Sequence, residues 1–226
     1  MKILNLYAGI GGNRKLWGDQ HEVTAVEIDP NIAKIYKKFF PGDKVIMGDA
    51  HEYLLKHYKE FNFIWSSPPC PTHSRTNNFL HAQGKIRYPD MNLYQEIIFL
   101  KTFFKGKWVV ENVIPYYEPL IKPQILGRHY FWSNFLIPTF NSKSNFNIAN
   151  ARGSTILETQ KYMEALEEYT GFSLRNIKHK NKKLLLRNCV NPKIALHIFE
   201  CAFKEKQKVL FLKDHAYLQN QKGGKN

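Results

Sequence analysis

Three successive segments of strand and helix character constrain the fold of this 226-residue chain more than any other feature. Short apolar runs at 3–7, 22–26 and 44–47 each end in a polar or glycine-rich turn, and residues compatible with a helix follow each turn. Parallel strands need a crossover connection, which is usually a helix. Three such units in succession therefore predict a doubly wound, mostly parallel α/β sheet. Ligands of such sheets bind beyond the carboxyl ends of the strands.

The turns after these strands contain candidate ligand contacts. The first turn, Ala8-Gly9-Ile10-Gly11-Gly12, has the spacing G-x-G-G and does not meet the dinucleotide fingerprint, so it is compatible with a nucleotide-like ligand and with a tight structural turn. Glu27 follows the second strand, where a carboxylate can accept hydrogen bonds from ribose hydroxyls; a solvated loop glutamate is the alternative. Asp49 follows the third strand, and in isolation it is better explained as a helix N-cap.

A fourth apolar run, 61–65, leads into Ser66-Ser67-Pro68-Pro69-Cys70. This pattern predicts a buried strand that ends at a stiff loop presenting a thiol. The alternative is an inert buried cysteine, which is a common environment for this residue. A further strand predicted at 107–110 ends in Glu111, so a carboxyl group is expected at the same edge of the sheet as Cys70.

The charge of the chain favours a polyanionic partner. Lys and Arg number 33 against 19 Asp and Glu, a formal net charge of +14, which does not distinguish DNA, RNA and a phospholipid surface. The three cysteines form no CxxC pair, so we expect neither a metal site nor disulfides, and Cys189 and Cys201 are expected to be packing residues. No apolar run approaches the ~18 residues of a membrane span. We therefore expect a soluble, cytoplasmic monomer.

Two basic regions are candidates for contact with such a partner. The connection 72–90 is polar and basic, which is typical of a functional lid or a disordered loop, and its candidate contacts are Ser74, Arg75, Asn77, Lys85 and Arg87. The composition shifts again at 139–183, which we interpret as a small inserted lobe. Its basic residues, including Arg175, Lys178 and Lys180, form either a DNA-facing patch or a solvated surface. This division leaves 1–138 plus 184–215 as the main domain and 216–226 as a flexible tail.

The remaining elements are predicted from local spacing and caps. The helix-compatible segments include 13–17, 50–58 and 90–104, and an aromatic run at 128–135 is typical of a strand. Asp29-Pro30 and Asn191-Pro192 each combine an N-cap residue with a proline in the first helical turn.

Six short motifs occur in one order along the chain. They are Tyr7-Ala8-Gly9-Ile10-Gly11-Gly12, Glu27-Ile28-Asp29, Gly48-Asp49, Ser67-Pro68-Pro69-Cys70, Glu111-Asn112-Val113 and Asn188-Cys189-Val190. Together they resemble the S-adenosylmethionine-dependent DNA cytosine-5 methyltransferases, and among these the compact phage-like or prophage-like members. The resemblance runs from about residue 3 to about 203, apart from the lobe at 139–183.

The resemblance implies a Rossmann-like class I methyltransferase fold with a small target-recognition lobe, and a role for each matched residue. Cys70 would be the nucleophile and Glu111 the carboxyl group facing the cytosine, with Arg128 and Tyr130 beside them. S-adenosylmethionine would be the cofactor, bound by Tyr7, Ala8, Gly9, Gly11, Gly12, Glu27, Ile28, Asp49, Ala50, Pro69, Asn188 and Val190. Double-stranded DNA would be the partner, in a bacterial or phage-infected cell, and a restriction endonuclease would be a possible counterpart.

Three positions depart from the family's usual pattern. Pro71 replaces the usual Gln after the cysteine, Tyr130 stands where a second Arg is expected, and Arg187 replaces a Gly. Two alternatives stay open beside a DNA methyltransferase. One is methylation of cytosine in RNA, suggested by the small lobe and by a basic charge that suits either polymer. The other, suggested by Tyr130 and Arg187, is a catalytically silent nucleic-acid-binding protein with the same fold.

Overall fold

The computed structural model describes residues 1–140 and 156–204, apart from the side chains of 156–158. The strands are β1 (Lys2–Leu6), β2 (Glu22–Glu27), β3 (Lys44–Met47), β4 (Phe63–Ser66), β5 (Lys107–Val113), β6 (Gln124–Leu126) and β7 (His129–Ser133). Within the described residues they form one seven-stranded sheet in the order β3-β2-β1-β4-β5-β7-β6. Strands β1 to β5 are parallel, and β7 runs antiparallel to both neighbours. The predicted doubly wound, mostly parallel α/β sheet is confirmed.

Helices cover both faces of the sheet. They are α1 (Pro30–Phe39), α2 (Ala50–His57), α3 (Asn77–Ala82), α4 (Asn92–Phe103), α5 (Ile156–Thr170), α6 (Lys182–Arg187) and α7 (Pro192–Phe203). Asp29 caps α1, since its Oδ1 accepts hydrogen bonds from the backbone N–H groups of Asn31 (2.7 Å) and Ile32 (3.3 Å). Across residues 1–140 and 156–204, no helix is both long and apolar enough to cross a bilayer.

Strand β4 shows how the two faces are built. Successive side chains of a strand point to opposite faces, so Phe63 and Trp65 pack in one cluster with α7, while Ile64 packs in another with α2 and α4. On the first face the rings of Trp17 and Phe199 stack with centroids 5.2 Å apart. Because β4 is buried on both faces, the loop that follows it starts from a rigid base.

The described part of the predicted lobe shares a core with α1. Leu166 of α5 is fully buried together with Phe172 and Leu174, and all three belong to a cluster that includes Tyr36. The ring of Phe172 also lies 4.7 Å from that of Phe39. Residues 159–177 therefore bury their apolar side chains against the main sheet domain. The segment 141–155 and the predicted tail 216–226 lie outside the described residues, so the domain boundaries stay predictions.

Several element boundaries differ from those expected. The segment 13–17 forms only a single 3₁₀ turn, Arg14–Leu16. Strand β7 ends at Ser133, after which the Asn134 side chain, rather than the backbone, bonds the Trp108 N–H and the Gly106 carbonyl oxygen. The 72–90 connection contains the short helix α3. Strand β5 continues to Val113, so Glu111 lies within a paired strand rather than beyond its end.

A buried ion pair joins the glycine-rich turn to the end of α1. Arg14 and Asp43 are 2% and 4% exposed, and the guanidinium donates from Nε to Oδ2 (2.9 Å) and from Nη2 to Oδ1 (3.0 Å). The hydroxyl of Tyr36 donates to the same carboxylate (2.7 Å). All the contacts of this carboxylate are therefore charge-assisted.

We expect Asp43→Ala to lower the free energy of unfolding by about 3–5 kcal/mol, because it leaves a buried guanidinium without its buried partner. Urea unfolding followed by circular dichroism measures this change. Asp19→Ala is the matched control: Asp19 pairs with the same guanidinium at 3.2 Å, but its side chain is fully exposed. Its loss should leave the unfolding midpoint nearly unchanged. Equal effects of the two substitutions would contradict the importance of the buried pair.

Candidate active site

Cys70 lies in a tight turn directly after β4. The backbone N–H groups of His73 and Ser74 both donate to the Cys70 carbonyl oxygen (3.0 and 3.1 Å), which closes the turn. The thiol is half-buried. The side chain of Asn112 donates from Nδ2 to the carbonyl oxygen of Pro68 (3.0 Å). This hydrogen bond fixes the loop before Cys70 to the neighbouring strand β5.

The far side of the Cys70 turn is attached to the segment after β5. Ser74 and Pro115 form an isolated antiparallel bridge, and the Tyr116 N–H donates to the carbonyl oxygen of His73 (3.1 Å). The buried ring of His73 forms a hydrogen bond through Nδ1 with the Tyr117 hydroxyl (2.5 Å). The loop that presents the thiol is thus fixed to β5 before Cys70 and to the segment that follows β5 after it.

Glu111 lies in the part of β5 that extends beyond β4. It is 7% exposed and pairs with Phe131 of β7. Burial raises the pKa of the Cys70 thiol, and the nearby Glu111 carboxylate raises this pKa further. A charged Glu111 therefore opposes formation of the thiolate. The charge of the predicted carboxyl group therefore acts directly on the predicted nucleophile.

The structure differs from the sequence interpretation at Arg128 and Tyr130. Side chains alternate along β7, so Tyr130 lies on the face opposite to Glu111 and packs in the cluster that contains Trp132. Arg128 precedes β7 and is exposed. The residue that faces Glu111 is His129, whose Nε2 lies 3.7 Å from Glu111 Oε1. Motif comparison missed His129; the signal that identifies it is the register of β7 on β5.

Glu27 lies at the centre of the predicted cofactor site. Its Oε2 accepts a hydrogen bond from the Gly9 N–H and its Oε1 from the Asp29 N–H, both at 2.9 Å. Each carboxylate oxygen can accept more than one hydrogen bond, so both can still accept from a ligand hydroxyl. Gly9 has φ +55°, and a Cβ placed on it would meet no atom within 4 Å. The space next to this turn is therefore open.

Close packing explains the other two glycines of this turn. Gly11 has φ +86°, and a Cβ there would lie 2.3 Å from Cε2 of Phe40. A Cβ on Gly12 would lie 2.8 Å from the carbonyl oxygen of Val190. The predicted contact residues Asn188 and Val190 therefore lie on a segment packed against the turn, where Val190 is buried and Asn188 is exposed.

The remaining predicted cofactor residues surround the same edge. Ile28 is 69% exposed and follows Glu27 directly, so its side chain is accessible to a ligand bound at this edge. Asp49 caps α2 through Oδ1, which accepts from the Glu52 N–H (2.8 Å), and a carboxylate has a second oxygen. Ala50 is buried, and Pro69 is exposed beside Cys70. The exposed apolar side chain, the acceptors and the open turn fit an adenosyl group.

A buried carboxylate beneath this site was not predicted. Glu96 is 0% exposed and accepts hydrogen bonds from the hydroxyls of Tyr7 and Ser66, both at 2.6 Å, while His51 Nδ1 lies 3.1 Å away. Burial and the Glu96 charge raise the pKa of Tyr7, and the contact with Glu96 raises the pKa of His51. Tyr7 has φ 55°, which is rare for a non-glycine residue. The sequence signal that could have identified this carboxylate is the position of a glutamate on the apolar face of α4.

The predicted nucleic-acid contacts on the 72–90 connection are mostly at the surface. Arg75, Lys85 and Arg87 are exposed, and Ser74 is half-buried. Asn77 does not meet the prediction: it is 1% exposed and donates from Nδ2 to the Pro71 carbonyl oxygen (2.9 Å), so it stabilises the loop instead.

The basic residues after α5 are also exposed. These are Arg175, Lys178 and Lys180. The Arg175 side chain lies 3.8 Å from the Glu167 carboxylate. Among residues 1–140 and 156–204, no group of three or more His, Cys, Asp and Glu side chains is placed to bind a metal ion.

Comparison with known proteins shows the family of this chain. The family model described as C-5 cytosine-specific DNA methylase matches residues 1–114, half of the chain, so the chain belongs to this family. The match includes both Cys70 and Glu111, whereas β7 lies beyond it.

The individual proteins similar to this chain include one that is named for tRNA and one of known structure. One, from Spodoptera frugiperda, is named tRNA (cytosine(38)-C(5))-methyltransferase and is 33% identical over 85 residues. That match covers 35% of this chain and 26% of that protein, so the chain matches about a quarter of its relative's length. The other is the structure of the Entamoeba histolytica methyltransferase EhMeth, with a TM-score of 0.58 and 14% identity over 90% of this chain and 98% of that one. This second likeness concerns the fold alone.

The electrostatic contact between Cys70 and Glu111 predicts a measurable change in thiol reactivity. We expect Glu111→Gln to shift the alkylation of Cys70 by iodoacetamide to lower pH, because the substitution removes a negative charge that opposes the thiolate. Peptide mass spectrometry over a pH series measures this shift. Cys189, whose pKa burial raises to about 12, is an internal reference that should stay unmodified. An unchanged alkylation midpoint would show that the two groups are not coupled.

Proposed function

We propose that this chain transfers a methyl group from S-adenosylmethionine to carbon 5 of a cytosine in double-stranded DNA. The observation that carries the proposal is the placement of a half-buried thiol, Cys70, beside the buried carboxyl group of Glu111, next to a turn suited to an adenosyl ligand. Membership of the cytosine-5 methylase family supports the same reaction.

The two side chains supply what this reaction requires. Carbon 5 of cytosine is too electron-poor to attack a sulfonium directly, so a nucleophile must first add to carbon 6. The Cys70 thiolate forms that bond while the ring nitrogen 3 accepts a proton from the Glu111 carboxyl group. The electron pair displaced from the 5,6 double bond makes carbon 5 nucleophilic. After methylation, water takes the carbon-5 proton, ring nitrogen 3 returns its proton to Glu111 and Cys70 leaves carbon 6, which restores the ring.

The requirement for a protonated Glu111 also favours the thiolate. The Glu111 charge raises the pKa of Cys70, so a proton on Glu111 removes that opposition. Attack by the Cys70 sulfur and proton donation to the cytosine ring are thus favoured in the same state, the one in which Glu111 carries a proton. The backbone hydrogen bonds of the 70–74 turn and the bond from Asn112 to Pro68 hold the loop that carries Cys70 next to β5.

The cofactor, when bound, supplies the methyl group from its sulfonium. In this proposal Glu27 accepts hydrogen bonds from the ribose hydroxyls, Ile28 packs against the adenine ring, and Asp49 accepts from the adenine amino group. The turn around Gly9 leaves space for the methionine portion of the molecule.

A cytosine within a duplex must leave the stack before Cys70 can reach it, which costs roughly a few kcal/mol. Exposed cations near the site offset such a cost by contacting phosphates. In this proposal Arg75, Lys85 and Arg87 of the 72–90 connection make those contacts, with Arg175, Lys178 and Lys180 as a second group.

A specific observation favours RNA as the second candidate substrate. The curated relative from Spodoptera frugiperda is named for a tRNA cytosine, and the chemistry at carbons 5 and 6 is the same in both polymers. The family model is named for DNA, and this is the reason for placing DNA first.

Methyl transfer from tritiated S-adenosylmethionine tests the function and separates the two substrates. We expect label in duplex DNA, recovered as 5-methyldeoxycytidine after nuclease digestion and mass spectrometry. Cys70→Ala should abolish transfer, whereas Cys201→Ala, which replaces a fully buried thiol in α7, should retain it. Label only in tRNA would make RNA the substrate, and label in neither polymer would refute the proposal.

Asp49→Asn separates the two roles of Asp49. Asn caps helices as well as Asp, so thermal stability should stay close to that of the wild type. If Oδ2 accepts from the adenine amino group, the substitution places a donor against a donor and should weaken cofactor binding by roughly tenfold or more. Isothermal titration calorimetry measures the affinity. An unchanged affinity would limit Asp49 to capping.

A further inference from the structure

His129 is a titratable residue beside Glu111 that the proposed reaction leaves without a role. It is the first residue of β7 and pairs with Val113 of β5, two residues beyond the Phe131–Glu111 pair. This register places His129 and Glu111 diagonally on one face of the sheet. The side chains are 19% and 10% exposed, and Nε2 lies 3.7 Å from Oε1.

The neighbours of His129 leave Glu111 as the partner of its ring. On the other side of β7 it pairs with Leu126 of β6, and its ring lies 6.3 Å from that of Phe131. The neighbouring Arg128 is exposed. Glu111 is therefore the ion-pairing partner that the structure records for this imidazole.

The distance between His129 Nε2 and Glu111 Oε1 exceeds that of a well-formed hydrogen bond. At 3.7 Å the contact is longer than a well-formed N–H···O hydrogen bond, which is about 2.7–3.2 Å. Catalytic hydrogen bonds are often long in the absence of substrate and shorten in the reacting complex. A contact that strengthens only as charge develops stabilises the transition state more than the ground state.

We propose that His129 is a positioning residue for Glu111, an inference that rests on the proposed cytosine methylation. When Cys70 sulfur bonds to carbon 6, the Glu111 proton passes to ring nitrogen 3 and the carboxyl group becomes a carboxylate. The Nε2–H of His129 then donates to Oε1 of that carboxylate. The contact fixes the carboxyl group and offsets the charge that forms on it.

This role explains how the site functions with Tyr130 on the opposite face. Tyr130 is partly buried and packs against the cluster on the face of the sheet opposite to Glu111. Because successive side chains of β7 point to opposite faces, His129 lies on the same face as Glu111 instead. An imidazole supplies a donor at this position, as the arginine expected from the family resemblance would.

A pair of substitutions tests the donor function. In His129→Gln an amide nitrogen can take the place of Nε2, whereas His129→Leu keeps a similar volume without a donor. We expect His129→Leu to lower kcat by about 10- to 100-fold with the KM for S-adenosylmethionine unchanged. His129→Gln should recover most of that loss. Circular dichroism verifies that both variants fold.

His57 provides a matched control, since it also forms a His–Glu pair, with Glu60 at 2.7 Å, but at an exposed position at the end of α2. His57→Leu should leave kcat unchanged. Equal kcat for the wild type and His129→Leu would overturn the inference while leaving the proposed function intact. So would an equal loss in the Gln and Leu variants, because that outcome indicates packing rather than donation. A wild-type protein inactive on DNA and on RNA would overturn both.

Discussion

The parallel pairing of β4 with β5 is the constraint on which the site depends. Ser66 at the end of β4 pairs with Val110, so the Cys70 loop leaves the sheet beside Glu111, the next residue of β5. A register shift of one residue would turn Glu111 to the other face of the sheet, away from the thiol. The Asn112–Pro68 hydrogen bond and the Ser74–Pro115 bridge secure this arrangement beyond the end of β4. The chemistry of the site thus depends on strand register as much as on residue identity.

The cofactor side of the site relies on a second buried carboxylate. Tyr7 adopts a left-handed backbone conformation, which costs roughly 1–3 kcal/mol and persists only where surrounding contacts impose it. The short hydrogen bond to Glu96 is such a contact, and Glu96 also binds Ser66 at the start of the Cys70 loop. One side chain of α4 therefore links the turn of the candidate cofactor site to the loop that carries Cys70.

Local sequence patterns predicted the sheet, and they predicted Cys70 and Glu111 at one edge of it. Strand–helix units and the Asp29 cap depend on contacts within a few residues, and Cys70 and Glu111 follow because parallel strands end at one edge. His129, Glu96 and Asn77 could not be placed in this way. Their roles depend on which face of β7 meets β5, on the packing of α4 beneath Tyr7, and on the direction of a side chain within a loop. Each is a tertiary property that residue spacing does not encode.

Covalent trapping tests the central claim, that Cys70 attacks a cytosine held beside Glu111, more directly than any other measurement. In an oligonucleotide containing 5-fluorocytosine the fluorine replaces the proton that must leave carbon 5, so the bond between enzyme and base persists. The account predicts a complex that survives denaturation, requires S-adenosylmethionine, and maps by peptide mass spectrometry to Cys70. An adduct at Cys189 or Cys201, or no adduct with either DNA or RNA, would contradict it.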